Sequence, residues 1–355
     1  ATDTLIDFLK DVNLSVSAHE VDLLMCCGEV ISSCVMAATL QKFGINATAL
    51  TGGQAGIITD STFGSARIKN IKTSALMNLL ESGIIPVVCG FQGVTEVNGR
   101  ITTLGRGGSD TTGVALGAAL KSEFVEIYTD VEGIMTADPR IVPHTHIMDK
   151  VSYAEVCQMA HNGAKVVHPR AVEIAMRNNI PVYVKSTFSD ALGTLITNVT
   201  EIDGIGDGVV TDKLASAVAH EGDISQFRVQ LDPENLAAGQ SLFADLAVAG
   251  ISVGCLNLSE KDAKFCVFNK DAERTANLLE ENNVPFVLNA GCGKVTVVGS
   301  AMEGVPGVMS KFVSALASRG ITILQTVDSD TTISAIVKED QLTDAVNALH
   351  LAFEL

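Results

Sequence analysis

Thr103-Leu104-Gly105-Arg106-Gly107-Gly108-Ser109-Asp110-Thr111-Thr112 is the stretch on which the reading of this sequence turns. Its glycines let backbone N–H groups approach an anion, and a helix start just beyond adds its dipole. Arg106 can fork a carboxylate, while Ser109 or Asp110 can cap a helix running to about Lys121 or orient a reacting group. The spacing is neither G-x-G-x-x-G nor G-x-x-x-x-G-K-[ST], so it supports neither a dinucleotide fold nor a Walker loop. Immediately upstream, Val94 to Thr103 carries Asn98-Gly99 at its centre, which predicts a tight hairpin. An antiparallel pair thus precedes the glycine-rich turn and its helix.

Elements on both sides agree. Apolar residues at helical spacing (Leu24, Ile31, Val35) predict a helix from Glu20 to about Lys42, ended by Gly44, and then a strand at Ala47 to Leu50. A helix near Thr73 to Leu80 precedes the continuous apolar run Ile84 to Cys89, which reads as a strand buried on both faces. Phe124 to Thr129 reads as another buried strand, followed by helices at Tyr153 to Ala160 and Pro169 to Asn178 and by strands at Pro181 to Ser186 and Thr194 to Asn198. This alternation predicts a largely parallel sheet between helices. Tyr128 to Arg140 follows a strand end, where ligands bind in such sheets, and its Asp, Thr and Arg residues suit a nucleotide; Asp138-Pro139 is equally a turn starter. Glu29 is a carboxylate within an apolar helix, unusual without a partner such as an ammonium group.

Thr200 to Gly208 reads as a linker, with a new domain from Val209. Beyond it the sequence repeats at a spacing of about 70 residues. Ala249-Gly250-Ile251-Ser252 falls on Arg319-Gly320-Ile321-Thr322, Leu246 on Leu316, and Cys266-Val267 on Ile336-Val337. Each copy reads strand, helix, strand, strand, helix, strand, the split βαβ unit of ferredoxin-like folds. An edge left open by each unit favours joining to another, so at least a homodimer is expected.

Composition narrows the partners. With 355 residues, two or three domains are expected. The 41 acidic against 24 basic residues give a net charge of −17, which argues against nucleic acid. Mean hydropathy is +0.32, yet no unbroken apolar run has the length of a spanning helix, and no basic, then apolar leader opens the sequence. No membrane partner and a cytoplasmic location are therefore expected. The eight cysteines form no C-x-x-C pair and read as small free thiols; His144 and His146 read as part of a solvated loop rather than a metal site.

Taken together, Cys27-Gly28-Glu29, Thr51 to Gly56, Gly90-Phe91-Gln92-Gly93, Thr102 to Thr112, Tyr128 to Arg140, Gly163 to Arg170 and the two repeats make the whole chain resemble the aspartate kinase family, in its form with two ACT modules. The resemblance implies an amino-acid-kinase domain at residues 1–199, a linker at 200–208 and ACT domains at 209–287 and 288–355. It implies transfer of the ATP γ-phosphoryl group, with Mg2+, to the β-carboxylate of L-aspartate, a feedback-regulated first step toward lysine, diaminopimelate, threonine and methionine. In the roles it implies, Arg106 holds the aspartate carboxylate with Gly107, Gly108 and Ser109, Glu29 holds the ammonium group, Thr2 touches the substrate and Asp110 organises the reacting centre. Thr129, Asp130, the loop Met135-Thr136-Ala137-Asp138-Pro139-Arg140 and Lys165 would hold ATP. Ser252, Val253, Thr322 and Ile323 would contact an effector: lysine, threonine or meso-diaminopimelate.

Two departures from the family pattern stand out. The sequence starts at Ala1-Thr2-Asp3, without the family's opening strand and Lys-Phe-Gly-Gly turn, so an N-terminally incomplete kinase domain is expected. Gly254 stands where many relatives have an acid. A non-catalytic ACT-based amino-acid sensor is the alternative of a different class, and a kinase acting on glutamate or N-acetylglutamate is disfavoured by the paired repeats.

Overall fold

The computed structural model describes residues 8, 9, 11, 12, 15–164, 166–198, 214–231, 236–299, 302 and 305–355. The chain divides into two compact units: residues 1–134, 149–156 and 165–206 in the first, and residues 135–148, 157–164 and 207–355 in the second. The expected linker at 200–208 and the domain start at Val209 lie outside the described residues.

The first unit opens with helices α1 (Ala18–Met25) and α2 (Cys27–Lys42), broken at Cys26 rather than continuous as the periodicity predicts. Within Ala18–Lys42 an 18-residue window has a mean hydropathy of 1.8 and is 17% buried, so by length and composition alone the stretch passes the test for a membrane-crossing helix, which a count of unbroken apolar runs misses. Part of α1 is nonetheless committed to protein: Asp22 is 1% exposed and tied to Gly64 and Thr103 of the same unit. Ile31 and Val35, whose spacing predicts a core face, are instead 66% and 61% exposed.

Strand β1 (Ala47–Leu50) pairs in parallel with β4 (Ile85–Val88), which follows helix α3 (Ser74–Glu81). The strand at β4 is not buried on both faces: Ile85 is 46% exposed, because β1 is its one partner strand among the described residues. Three short strands escape the sequence reading: β2 (Ile57–Thr59), β3 (Ile68–Ile71) and β8 (Lys150–Ser152). Three or four residues are too few for a period to show.

The predicted hairpin is present as β5 (Gln92–Thr95) and β6 (Ile101–Thr103), antiparallel, in a sheet of order β3-β2-β5-β6. It feeds α4 (Gly108–Leu120), whose N-cap is Gly107; Ser109 and Asp110 therefore lie inside the first turn rather than capping it. Strand β7 (Val125–Thr129) lies at one edge of a sheet ordered β7-β9-β10-β8, with β9 at Val182–Ser186 and β10 at Thr194–Thr197. Its edge position explains why it alternates half-buried with exposed residues instead of being buried. Helices α5 (Tyr153–His161) and α6 (Pro169–Asn178) match the predicted spans closely, and α6 packs on α4. The α/β class expected of an amino-acid kinase is borne out; in its sheets parallel pairs alternate with antiparallel ones.

The second unit holds a six-stranded antiparallel sheet of order β12-β13-β11-β14-β16-β15. Its elements run β11 (Ala217–Gln230), α7 (Leu236–Val248), β12 (Gly254–Leu258), β13 (Asp262–Phe268), α8 (Asn269–Glu281), β14 (Phe286–Val298), α9 (Val308–Ala317), β15 (Gln325–Ser329), β16 (Thr332–Lys338) and α10 (Leu342–Ala352). The repeat is plain in the helix ends. Gly250 and Gly320, at φ 69° and 68°, close α7 and α9 with the same bonds: Ile251 N to Leu246 O (2.9 Å) and Ile321 N to Leu316 O (3.1 Å).

The copies are not two consecutive six-element blocks, however. The long strands β11 and β14 serve both. Residues 224–230 of β11 pair with β13, and 226–229 with 286–289 of β14, whereas 217–221 pair with 294–298, which pair in turn with β16. The second copy thus ends at α10, and its remaining strand comes from the start of β11. Phe227, Leu246, Phe265 and Leu279 centre one core; Phe312, Leu316, Val346 and Leu349 centre the other.

Candidate functional site

The glycine turn is built by close approach. Gly107 has φ 66°, and a Cβ there would lie 2.2 Å from the Cβ of His168, so only glycine lets the turn pass beneath the start of α6. Gly108 is buried against Phe91, whose own φ of 68° is unusual for a bulky residue. Phe91 is held there by two bonds: its carbonyl accepts from Leu104 N at 2.8 Å, and its N–H donates to Thr112 Oγ1 at 3.0 Å.

On this frame the predicted residues divide. Arg106 and Ser109 are exposed, and Arg106 makes no hydrogen bond or ion pair with the described residues. Asp110 is half-buried and accepts from His168 N at 3.3 Å; burial raises its carboxyl above the ordinary value of 3.8, with the His168 hydrogen bond opposing. Glu29 has a buried Oε2 atom with no hydrogen-bond partner among the described residues. An unpaired buried carboxylate oxygen is costly, and its natural complement is a cationic ligand. Burial, aided by Asp22 and Glu29, pushes the nearby Cys26 thiol up to about 12, so it is an inert thiol rather than a nucleophile. Thr2 and Lys165 lie outside the described residues.

Sequence reasoning missed three residues that hold this frame. Asp22 accepts from Thr103 N and Gly64 N through Oδ2, at 2.8 and 3.0 Å, and from Thr103 Oγ1 through Oδ1 at 2.8 Å. Gln92, 1% exposed, accepts from Gly52 N at 3.2 Å and donates to Cys26 O at 3.5 Å. Arg170 donates to Leu104 O at 3.0 Å and to Ala66 O at 2.8 Å, pinning the turn after β6 to the loop between β2 and β3. The available signal was chemical type alone: each is a polar residue among apolar neighbours, and each partner is 40 to 104 residues away.

The expected nucleotide residues fall in two groups. Thr129 and Asp130 end β7 in the first unit, with Thr129 Oγ1 donating to Asp130 Oδ1 at 3.2 Å. Met135 to Arg140 belong to the second unit. There Thr136 and Ala137 are 2% and 6% exposed, and Ala137 joins the core around Phe312, so their side chains are turned inward. Asp138 and Arg140 make the polar face. Arg140 forks the carboxylate, Nη2 to Oδ2 at 2.7 Å and Nε to Oδ1 at 3.0 Å, and this holds the Asp138 carboxyl below its usual value. His144 and His146 are exposed, and no cluster of three or more ligating side chains occurs among the described residues.

Of the expected effector residues, Ser252 and Thr322 are exposed beside the two closing glycines, while Val253 and Ile323 pack against the two cores. Ser252 lines a small cavity of about 110 Å³ with Gly254, Cys255, Cys266 and Lys294.

Comparison with known proteins agrees with this geometry. The profile of the amino acid kinase family matches residues 2–186, and that of the ACT domain matches residues 287–351. Aspartokinase 1 of Bacillus subtilis is 43% identical over 355 residues, all of this chain and 87% of the relative. E. coli aspartokinase III in complex with aspartate and ADP (R-state) superposes with a TM-score of 0.80 at 26% identity, over 99% of this chain and 80% of that one. The same enzyme in complex with lysine and aspartate (T-state) gives 0.75 at 27% identity, over 99% and 79%.

Proposed function

This chain belongs to the aspartokinase family, and on that premise we propose that it transfers the γ-phosphoryl group of ATP to the β-carboxylate of L-aspartate, giving 4-phospho-L-aspartate. The observation that carries the substrate assignment is Glu29 Oε2, buried and without a partner among the described residues, in the same unit as the exposed Arg106, which has no partner among them either. A zwitterionic amino acid brings an ammonium group for the one and a carboxylate for the other.

Phosphoryl transfer asks for positioning and charge neutralisation more than for covalent catalysis. Arg106 grips the α-carboxylate with the backbone N–H groups of Gly107, Gly108 and Ser109 at the start of α4. Glu29 holds the α-ammonium group, and Thr2 adds a contact. Asp110, with its half-buried carboxyl, orients the reacting β-carboxylate end. Thr129, Asp130, Lys165 and the Met135 to Arg140 segment bind ATP, the last through backbone atoms and the Asp138–Arg140 face, because Thr136 and Ala137 are turned inward. ATP enters as its Mg2+ complex, whose cation supplies charge neutralisation at the phosphates.

An amino-acid effector, lysine, threonine or meso-diaminopimelate, binds near Ser252, Val253, Thr322 and Ile323; E. coli aspartokinase III has been captured with lysine. The domains run 1–199, 209–287 and 288–355 around a linker at 200–208, with β11 and β14 shared between the two ACT modules. The edge strands β12 and β15 suit assembly into a homodimer, and the enzyme works in the cytoplasm. A hydroxamate assay with aspartate and Mg-ATP checks the activity. Trapped aspartyl hydroxamate is expected; turnover with glutamate and none with aspartate overturns the reading.

A further inference from the structure

The segment Met135 to Met148 is the one place where expected nucleotide residues are built into the regulatory unit. Its inner face is fastened at several points. Thr136 Oγ1 and His350 Nε2, on α10, lie 2.9 Å apart, and the two residues are 2% and 5% exposed. Val218 N, on β11, donates to Thr136 O at 2.8 Å, and Asn347 Nδ2, also on α10, donates to Ile141 O at 3.2 Å. Ala137 and Val142 enter the core made by Phe312, Leu342, Val346 and Leu349.

The outer face is polar and free to meet a ligand. Ile141 N and Val142 N both donate to Asp138 O, at 3.0 and 2.9 Å, which curls the chain so that Asp138 and Arg140 stand together. The Arg140 side chain is 87% exposed. A tight turn with one face locked and the other charged transmits displacement, because a packed core shifts between discrete arrangements rather than deforming gradually.

We propose that His350 is a positioning residue for the nucleotide: by holding Thr136 it sets the Met135 to Arg140 turn in register with the second ACT copy, so that ATP affinity depends on how α10 sits. This rests on the reading that Met135 to Arg140 binds ATP. A purely structural histidine would satisfy a buried hydroxyl and affect stability alone. A positioning one separates the two substrates, since its side chain holds Thr136 of the proposed ATP segment and bonds none of the described aspartate residues.

The test uses the purified whole chain with His350→Phe, which removes the bond, His350→Gln, which can restore it, and Thr136→Val as a second route to the same loss should His350→Phe fold poorly. KM for ATP and for aspartate is measured beside hydrogen exchange at the Thr136 and Val142 amides. The expected result is a rise of about 2- to 10-fold in KM for ATP, the worth of one net hydrogen bond, with KM for aspartate unchanged, faster exchange at both amides, and recovery in His350→Gln. Unchanged exchange overturns the proposal, as does an equal rise in both KM values. Faster exchange with KM for ATP unmoved also overturns it, and Arg140→Ala then separates the two failures. If Arg140→Ala raises KM for ATP, the nucleotide reading stands and only the coupling fails; if it does not, the nucleotide reading has failed first.

Discussion

One polar network of the second unit and the candidate site of the first treat their polar groups in opposite ways. In the regulatory unit, buried polar side chains complete one another: Gln226 Nε2 donates to Gln325 Oε1 at 2.8 Å, Asn289 Nδ2 donates to Gln226 Oε1 at 2.9 Å, and Gln325 Nε2 donates to Cys255 O at 2.5 Å. In the first unit Asp22, Gln92 and Arg170 find partners, but some candidate site groups are left short. Among the described residues Glu29 Oε2 is buried without a partner and Asp110 is held by one long bond, and Phe91 is kept at a positive φ. A satisfied network specifies one arrangement, whereas an unsatisfied one is stabilised when a ligand of complementary charge arrives. The contrast teaches where to expect stability losses from mutation and where to expect losses of activity.

The sharpest way to break that contrast is to cut each side. Phe312→Ala, at a position with 0% exposure, should cost about 3–5 kcal/mol of stability in chemical denaturation. Because Ala137 shares that core, KM for ATP should rise while KM for aspartate holds. If stability is unchanged, the regulatory unit is looser than its packing implies.

Asp110→Asn should do the reverse, lowering kcat by about 10²- to 10³-fold without loss of fold. Its stability effect has a definite sign. A carboxyl whose folded pKa is raised by burial penalises the folded state when ionised, so the variant should be slightly more stable than the parent near neutral pH. That advantage should fade as pH falls through the raised folded pKa and vanish below the unfolded value. Thermal melts from pH 7 to pH 3 check this, and a destabilised variant at neutral pH would make Asp110 a structural residue.

Smaller effects refine the ligand assignment. Arg106→Lys keeps the charge and loses the bidentate fork, so KM for aspartate should rise about tenfold with little change for ATP. Glu29→Gln should behave in the same way. Equal losses for both substrates in folded protein would remove these residues from the aspartate site.

The smallest expected effect compares the copies of the repeat. Gly250→Ala and Gly320→Ala meet open space, so each should cost only the left-handed backbone term, about 1 kcal/mol, and to the same extent. Unequal costs in denaturation would show that one helix end is held by more than its closing bonds.

Much of this was legible in the sequence because it depends on neighbours along the chain. Helix α6 is predicted to its ends, since a proline opens it and Asn179, in the left-handed conformation, closes it. The Asn98-Gly99 hairpin, the glycine turn at Gly105 to Gly108 and the twin helix ends at Gly250 and Gly320 are each decided within a few residues. The repeat at about 70 residues and the segments shared with the aspartokinase family likewise need no structure. Glu29 stood out as a carboxylate in an apolar helix, but only the structure shows that its buried Oε2 has no partner among the described residues.

Tertiary structure decided what distant segments do to one another. Asp22 reads as an ordinary helix acid until Thr103, 81 residues on, is brought to it. The sharing of β11 and β14 cannot be read from a repeat, because both copies show the same local pattern whichever strand completes them. The inward turn of Thr136 and Ala137 likewise depends on α10, 214 residues beyond Thr136. Hydrophobic period and turn chemistry act over one or two turns of chain, whereas burial and hydrogen-bond satisfaction are properties of the assembled core, and these long-range partners belong to the second kind.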